Sequence, residues 1–189
     1  MNLYLASQSP RRKQILEMAE IPFQVLTNVS DESFPTHYTP SQAVEHIAAN
    51  KAKSAFELLE TQENAFVLSA DTVVVCQQEI IGKPKNREEA IETLQRLSGI
   101  VHHVITGVCI HSKKRRVLFH ETTEVQFLEL SLEQITHYVD HYQPYDKAGA
   151  YAIQEWIGLI GIESITGDFY NVMGLPIHKV YAAFIELGL

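Results

Sequence analysis

Two short apolar runs, Phe66–Ala70 and Thr72–Cys76, are separated by a single aspartate, Asp71. Apolar runs of this length, rich in β-branched residues, read as buried strands. A carboxylate inside such a run is costly unless it is paired or bound to metal. Aspartate is also a poor residue for a strand interior. Either Asp71 ends a strand and caps a turn, or it is kept there for chemistry, such as holding Mg²⁺ or activating water.

Comparable runs organise the rest of the chain. Leu3–Ala6 reads as a buried strand, followed at once by Ser7-Gln8-Ser9-Pro10. Ser9 suits a helix N-cap and Pro10 the first helical position. Ile15, Leu16, Met18 and Ala19 make the inward stripe of that helix. Phe23–Leu26 reads as a second strand and residues 28–38 as a polar loop. Thr39-Pro40 opens a long helix to about Leu59, with Ala43, Val44, Ile47, Ala48, Ala52, Ala55 and Phe56 inward. Asn86 with Glu89 is a capping-box-like start for a helix that ends at Gly99. Val101–His111 and Val117–Leu128 predict an antiparallel hairpin with Lys113–Arg116 at its bend. Ser131 and Gln134 open a further helix to about His141. A glycine-punctuated region of short strands and turns follows, and Pro176 starts a closing helix. Strands and helices alternate, which predicts a mixed α/β class. With 189 residues and 46% hydrophobic content, the apolar material suffices for one sizeable core, or for residues 1–189 as a single domain with two lobes around a cleft.

A net charge of −8 argues against bulk nucleic-acid binding, which needs a basic surface. Lys113–Arg116 reads as a solvated turn. A small phosphorylated ligand needs only a few local cations and is not excluded. Cys76 and Cys109 sit in apolar runs and read as reduced core residues. Two cysteines cannot supply a structural zinc site of the usual kind. No stretch approaches the ~18 apolar residues of a membrane span. MNLYLASQSPRR does not read as a signal peptide, so the cytosol is the expected compartment and no membrane partner is expected.

Four segments can carry chemistry. At Ser7–Arg12 a strand runs into a capped helix, whose free N–H groups and dipole attract anions. Arg11 and Arg12 stand in the first turn, where the dipole disfavours cations, so they point to an anion; the competing reading is a solvated arginine pair. Asp71 with Thr72 is the second segment. In Gly82-Lys83-Pro84, Gly and Pro fix the backbone and leave Lys83 as a positioned charge, although such turns are common. In Asp146–Gln154, small residues let a ligand approach the backbone. Gln154 can donate and accept, which suits a base edge; a plain tight turn is the competing reading. Lys51 and Lys53 alone read as a solvated helix face, and Glu32 as one acid in a polar loop. His137 and His141 are spaced i, i+4 but lack a third ligand, so they read as helix surface.

Taken together, LASQSPRR (Leu5–Arg12), SADTVV (Ser69–Val74), GKP (Gly82–Pro84), SGIVHHVITGV (Ser98–Val108), DKAGAYAIQ (Asp146–Gln154) and GDFYNVMGLP (Gly167–Pro176) resemble the signature blocks of Maf-like proteins. They occur in order and span nearly the whole chain. The resemblance implies an elongated central mixed sheet flanked by helices, with two lobes around a deep cleft, as in inosine triphosphate pyrophosphatases. It implies a divalent cation (Mg²⁺ or Mn²⁺), a homodimer, and hydrolysis of a nucleoside triphosphate between its α- and β-phosphates. The KAGAY-IQ form of the fifth block resembles the dTTP/UTP subgroup. Alternatives are a modified purine triphosphate such as 7-methyl-GTP, or a non-catalytic nucleotide-binding regulator of cell division. Carried over residue by residue, Ser7, Arg11 and Arg12 would hold phosphates and Asp71 would be the general base. Glu32, Lys51, Lys83 and Lys147 would line the metal–triphosphate site, with Glu32 and Asp71 on the metal and Lys83 catalytic beside Asp71, neutralising charge on the leaving pyrophosphate. Arg11, Thr72 and Gln154 would help select the base. Many relatives have Gly after the IQ pair, whereas this chain has Glu155-Trp156, so the loop there is expected to follow another path.

Overall fold

The computed structural model describes residues 2–27, 30–59 and 64–189; Asn28 and Val29, the start of the expected 28–38 loop, lie outside the described residues. The chain forms β1 (Asn2–Leu5), α1 (Pro10–Met18), β2 (Gln24–Val25), α2 (Pro40–Glu57), β3 (Ala65–Cys76), β4 (Glu79–Ile81), α3 (Arg87–Leu97), β5 (Val101–His111) and β6 (Arg116–Phe127). Then come α4 (Leu132–Tyr142), one 3₁₀ turn at Ala148–Ala150, α5 (Trp156–Gly161), β7 (Ile162–Thr166), α6 (Phe169–Met173) and α7 (Ile177–Leu187). The sheet is mixed: β1 pairs in parallel with β2 and β3, while β3–β4 and β6–β7 are antiparallel. The expected mixed α/β class is what the chain forms. Among the described residues no helix is long and apolar enough to cross a membrane.

The chain divides into two compact units. The first comprises Met1–Asp71, Thr106–Glu121 and Gly174–Leu189; the second comprises Thr72–Ile105 and Thr122–Met173. In the first unit, Ser9 caps α1 as expected, its side chain accepting the Arg12 N–H, with Pro10 at the helix start. Ile15 and Leu16 are buried, but Met18 is exposed. Met18 lies two positions past Leu16, which turns it about 200° around the helix. β2 is shorter than the expected Phe23–Leu26 and both its residues are exposed. Thr39 and Gln42 form a complete capping box at the start of α2. The buried face of α2 is mostly alanine. It lets the helix lie close on the strands, where Ala48, Ala52 and Ala55 pack with Tyr4, Val67 and Cys109. Gly107 on β5 makes that approach tightest: a Cβ there would stand 2.4 Å from the Val44 carbonyl group on α2. Cys76 and Cys109 are both free and buried, and burial pushes the Cys109 thiol up to about 12.

One expectation fails here. Asp71 does not separate two strands. β3 runs unbroken from Ala65 to Cys76 with Asp71 in its interior. The strand continues because the carboxylate finds a cation on α2, so no turn is needed to bring it to water.

In the second unit, α3 packs on α4 and Arg87 grips Asp140 at 2.6 and 2.9 Å. The capping box at Asn86 is half formed. Asn86 accepts the Glu89 N–H, but the Glu89 carboxylate turns to the Lys85 N–H. The glycine-rich stretch expected as short strands and turns holds two short helices, α5 and α6, around β7. Its glycines serve close packing: a Cβ at Gly158 in α5 would fall 1.7 Å from the Ile153 carbonyl oxygen. His102 is fully buried, its Nε2 2.7 Å from the Tyr151 hydroxyl and its ring edge-on to Phe127 and Tyr151. Its Nδ1 has no hydrogen-bond partner among the described residues.

Two outcomes follow from this packing. Gly107→Ala forces backbone apart from backbone and is expected to cost about 1–3 kcal/mol in urea denaturation. Burial, assisted by His103, pushes His102 down to about 4 from its ordinary 6.5. Because the folded value is depressed, the neutral form stabilises the fold fully above pH ~6.5 and this contribution is lost as pH falls from there towards 4. The loss is about 3 kcal/mol. Unfolding free energies at pH 7 and 4.5 should show it, and His102→Asn should flatten that part of the profile.

Candidate active site

The first unit builds its site on one stripe of α2. Val44, Ala48 and Lys51 follow at i, i+4 and i+7, so they share a face. On β3, Ser69 and Asp71 are two residues apart and also share a face. The Ser69 hydroxyl donates to the Ala48 carbonyl at 2.6 Å, which fixes helix against strand. One turn further along α2, the Lys51 ammonium meets Asp71 Oδ1 at 2.7 Å and Glu32 Oε1 at 2.6 Å. Lys51 and Asp71 are mostly buried, with side-chain exposures of 14% and 16%, whereas Glu32 is 57% exposed. A partly dehydrated pair interacts more strongly than a surface ion pair. The reading of Lys51 as a solvated helix face does not hold; its tether is the strand aspartate.

Arg12 adds a second cation. Its Nε donates to the Gly174 carbonyl at 2.8 Å, and its Nη1 to the Ser7 hydroxyl at 3.3 Å. Ser7 Oγ also accepts the Ser9 N–H at 3.2 Å. Burial lowers the Arg12 pKa from its ordinary value; attraction to Asp71 opposes this, and to a smaller extent so does attraction to Glu32, while Arg11 adds to the lowering. The guanidinium stays charged. Arg11 and Arg12 fill the first turn of α1, which contains no acid. Ser7, Arg11, Arg12, Glu32, Lys51 and Asp71 thus belong to one electrostatic group. Sequence reasoning missed Gly174, whose carbonyl ties the last signature block to the first. Its signal was only the position of that block, with no side chain to mark it.

The remaining expected residues lie in the second unit. Thr72 follows Asp71 on β3 and is half-buried. Lys83 is exposed on the loop after β4, beside a hollow lined by Pro84, Glu89, Glu92 and Arg96. The GKP and DKAGA turns are joined: the Gly149 N–H donates to the Gly82 carbonyl at 3.1 Å. Gly149 has φ +70°, and a Cβ there would lie 2.7 Å from Val74, so three motifs meet at a position only glycine fits. Lys147 is almost wholly buried, its ammonium 2.8 Å from Asp146 and 3.5 Å from Glu155. Gln154 is exposed and makes no hydrogen bond among the described residues. Glu155 was noticed only as a departure from pattern; its carboxylate accepts from the Tyr138 hydroxyl and faces Lys147.

Among the described residues, no cluster of three or more His, Cys, Asp or Glu is arranged to hold a metal. Two hard oxygen donors, Asp71 and Glu32, converge on a single ammonium. That donor set suits Mg²⁺ or Mn²⁺, which commonly take one or two carboxylates and fill other positions with substrate oxygens and water.

A family model described as "Maf-like protein" matches residues 2–187. The chain is 43% identical over 186 residues to the dTTP/UTP pyrophosphatase of Bacteroides thetaiotaomicron, covering 98% of this chain and 95% of that one. It is 46% identical to the dTTP/UTP pyrophosphatase of Parabacteroides distasonis, covering 95% and 92%. Its likeness to the dTTP/UTP pyrophosphatase of Bacillus cereus is also 46%, covering 94% and 91%. The solved structure of the Staphylococcus aureus Ham1 protein is similar at a TM-score of 0.49, with 15% identity over 67% of this chain and 72% of that one.

Because Arg12 is held by its fork at two points, Arg12→Lys is expected to lower stability even without nucleotide. The expected cost is about 1.5–3 kcal/mol by urea denaturation. An unchanged midpoint would show that the Ser7 and Gly174 contacts do not hold the guanidinium.

Proposed function

The chain belongs to the Maf-like protein family, and on that premise we propose that it is a nucleoside triphosphate pyrophosphatase. It cleaves dTTP and UTP between the α- and β-phosphates, releasing the monophosphate and pyrophosphate. The observation that carries this reading is Asp71: a carboxylate kept in mid-strand, electrostatically coupled to Arg12 and tethered by a Lys51 ammonium that it shares with Glu32. A merely structural strand position has no use for so many charges. The pyrimidine preference is supported by the names of the three relatives and by the KAGAY-IQ block.

Asp71 is the general base. It takes the proton from the water that attacks the α-phosphorus, and the bond from that phosphorus to the bridging oxygen breaks. Arg11, Arg12 and Lys51 are assigned to the phosphate oxygens, with Ser7 holding Arg12 in register. Lys83 and Lys147 are further cations assigned to the triphosphate. Negative charge grows on the leaving pyrophosphate, and fixed cations stabilise it without reorganising. Glu32 and Asp71 would hold a divalent ion, which when bound supplies charge neutralisation on the triphosphate oxygens. Lys51 keeps the two carboxylates together before substrate and metal arrive. Gln154, together with Thr72 and Arg11, is assigned to base selection; its amide can both donate to and accept from a pyrimidine edge.

A panel of NTPs and dNTPs tests the reading, with products resolved. UTP and dTTP should give monophosphate plus pyrophosphate. Diphosphate plus phosphate would refute the cleavage site, and preference for a methylated purine triphosphate would refute the pyrimidine assignment. Asp71→Asn should cut kcat about 10²–10⁴-fold with a smaller change in KM. Undiminished turnover in that variant would remove Asp71 as the base.

A further inference from the structure

The Ala152–Glu155 turn, which carries Gln154, is clasped at both ends by one phenol. Tyr138 is fully buried on α4. Its hydroxyl oxygen accepts the Ala152 N–H at 3.2 Å and donates its own proton to Glu155 Oε2. The other carboxylate oxygen, Oε1, faces the Lys147 ammonium at 3.5 Å. Two backbone bonds close the same turn: Glu155 N–H to the Ala152 carbonyl at 3.1 Å, and Gly158 N–H to the Glu155 carbonyl at 2.9 Å. Gly158 lies so close beneath Ile153 that no side chain fits there. The turn is therefore braced by a phenol–carboxylate pair on one side and by helix packing on the other.

The position of Glu155 in this clasp is informative. It stands at the N-cap of α5, yet its side chain makes no capping hydrogen bond. A carboxylate there would ordinarily accept a helix N–H and gain from the dipole. Here it forgoes that and turns inward to Tyr138 and Lys147. Gln154, the next residue back, is left exposed with an unengaged amide.

We propose that Glu155 and Tyr138 are positioning residues for base selection: together they lock the turn that presents Gln154, so that its side chain reaches for the base from one fixed backbone position. The proposal rests on the pyrophosphatase reading above and on Gln154 as the residue that reads the base. On a loose turn, part of what the amide gains from a base edge is offset by ordering the backbone. On a locked turn that ordering is already complete, so the bonds between the Gln154 amide and a matching base edge are expressed in full as selectivity between bases. The clasp also bears on Lys147, but a change in phosphate binding alters all substrates alike and cancels in a ratio of kcat/KM values.

The test uses the full chain and measures kcat/KM for UTP and CTP in the wild type, Tyr138→Phe, Glu155→Gln, Gln154→Ala and the Gln154→Ala/Tyr138→Phe double variant. Tyr138→Phe keeps the ring and removes only the hydroxyl. Glu155→Gln keeps an acceptor for that hydroxyl and serves as the conservative variant. The UTP/CTP ratio should fall about fivefold to tenfold in Tyr138→Phe, the scale of one lost hydrogen bond, and should stay near the wild-type value in Glu155→Gln. In the Gln154→Ala background, adding Tyr138→Phe should leave the ratio where it was. A ratio unchanged in folded Tyr138→Phe, or a parallel loss for both substrates, overturns the positioning role while leaving the pyrophosphatase reading intact. A wild-type enzyme with no preference for UTP over CTP overturns this role and the restriction to uracil and thymine, while leaving the pyrophosphatase reading intact. Melting temperatures of each variant separate a changed ratio from partial unfolding.

Discussion

Lys51 holds two carboxylates at once, and the first unit is arranged around that fact. Asp71 sits in a strand otherwise composed of apolar and small residues, where an unpaired charge would be expelled. It is tolerated because α2 delivers an ammonium to it at 2.7 Å. That delivery depends on how closely α2 lies on the strands. The closeness depends in turn on Gly107, on the alanine face of the helix and on the Ser69–Ala48 hydrogen bond. Core packing and site electrostatics are therefore one construction: the contacts that seat the helix also set the distance between the Lys51 ammonium and the Asp71 carboxylate.

The same logic governs Arg12. A cation in the first turn of a helix opposes the dipole, and burial makes it costlier still. Its retention there is explained by three partners of different kinds. A backbone carbonyl at Gly174 and the hydroxyl of Ser7 orient it, and the nearby carboxylates offset its charge. In the second unit the corresponding device is neutral at its centre. Tyr138 joins the start and end of a turn, and Lys147 is buried because Glu155 and Asp146 accompany it. In each unit, charged groups that would be unstable singly are held in small mutual sets.

Much of this was legible beforehand. Capping residues marked the starts of α1, α2 and α4, and the β-branched runs marked β5 and β6, because these signals act over a few neighbouring residues. Cys76 and Cys109 were read as free core residues, and they are. Besides the reading of Lys51 as solvated, three readings went astray for a common reason. Asp71 was expected to interrupt its strand, Met18 to face inward, and the glycine-rich segment to form strands and turns. Each depended on something remote or on exact helical phase: a lysine twenty residues away, the end of a nine-residue helix, and a packing contact between Gly158 and Ile153.

By itself the sequence determined the α/β class, the starts of the capped helices α1, α2 and α4, the family and the residue types available for phosphate chemistry, since local capping, β-branching and ordered motif blocks carry that information. Only the tertiary structure decided that Lys51 belongs to Asp71 and not to solvent, that Gly174 orients Arg12, and that Glu155 faces Tyr138 instead of capping its helix. Those choices turn on which distant groups meet at hydrogen-bond distance. Such meetings are fixed by how elements pack, and no run of neighbouring residues encodes them.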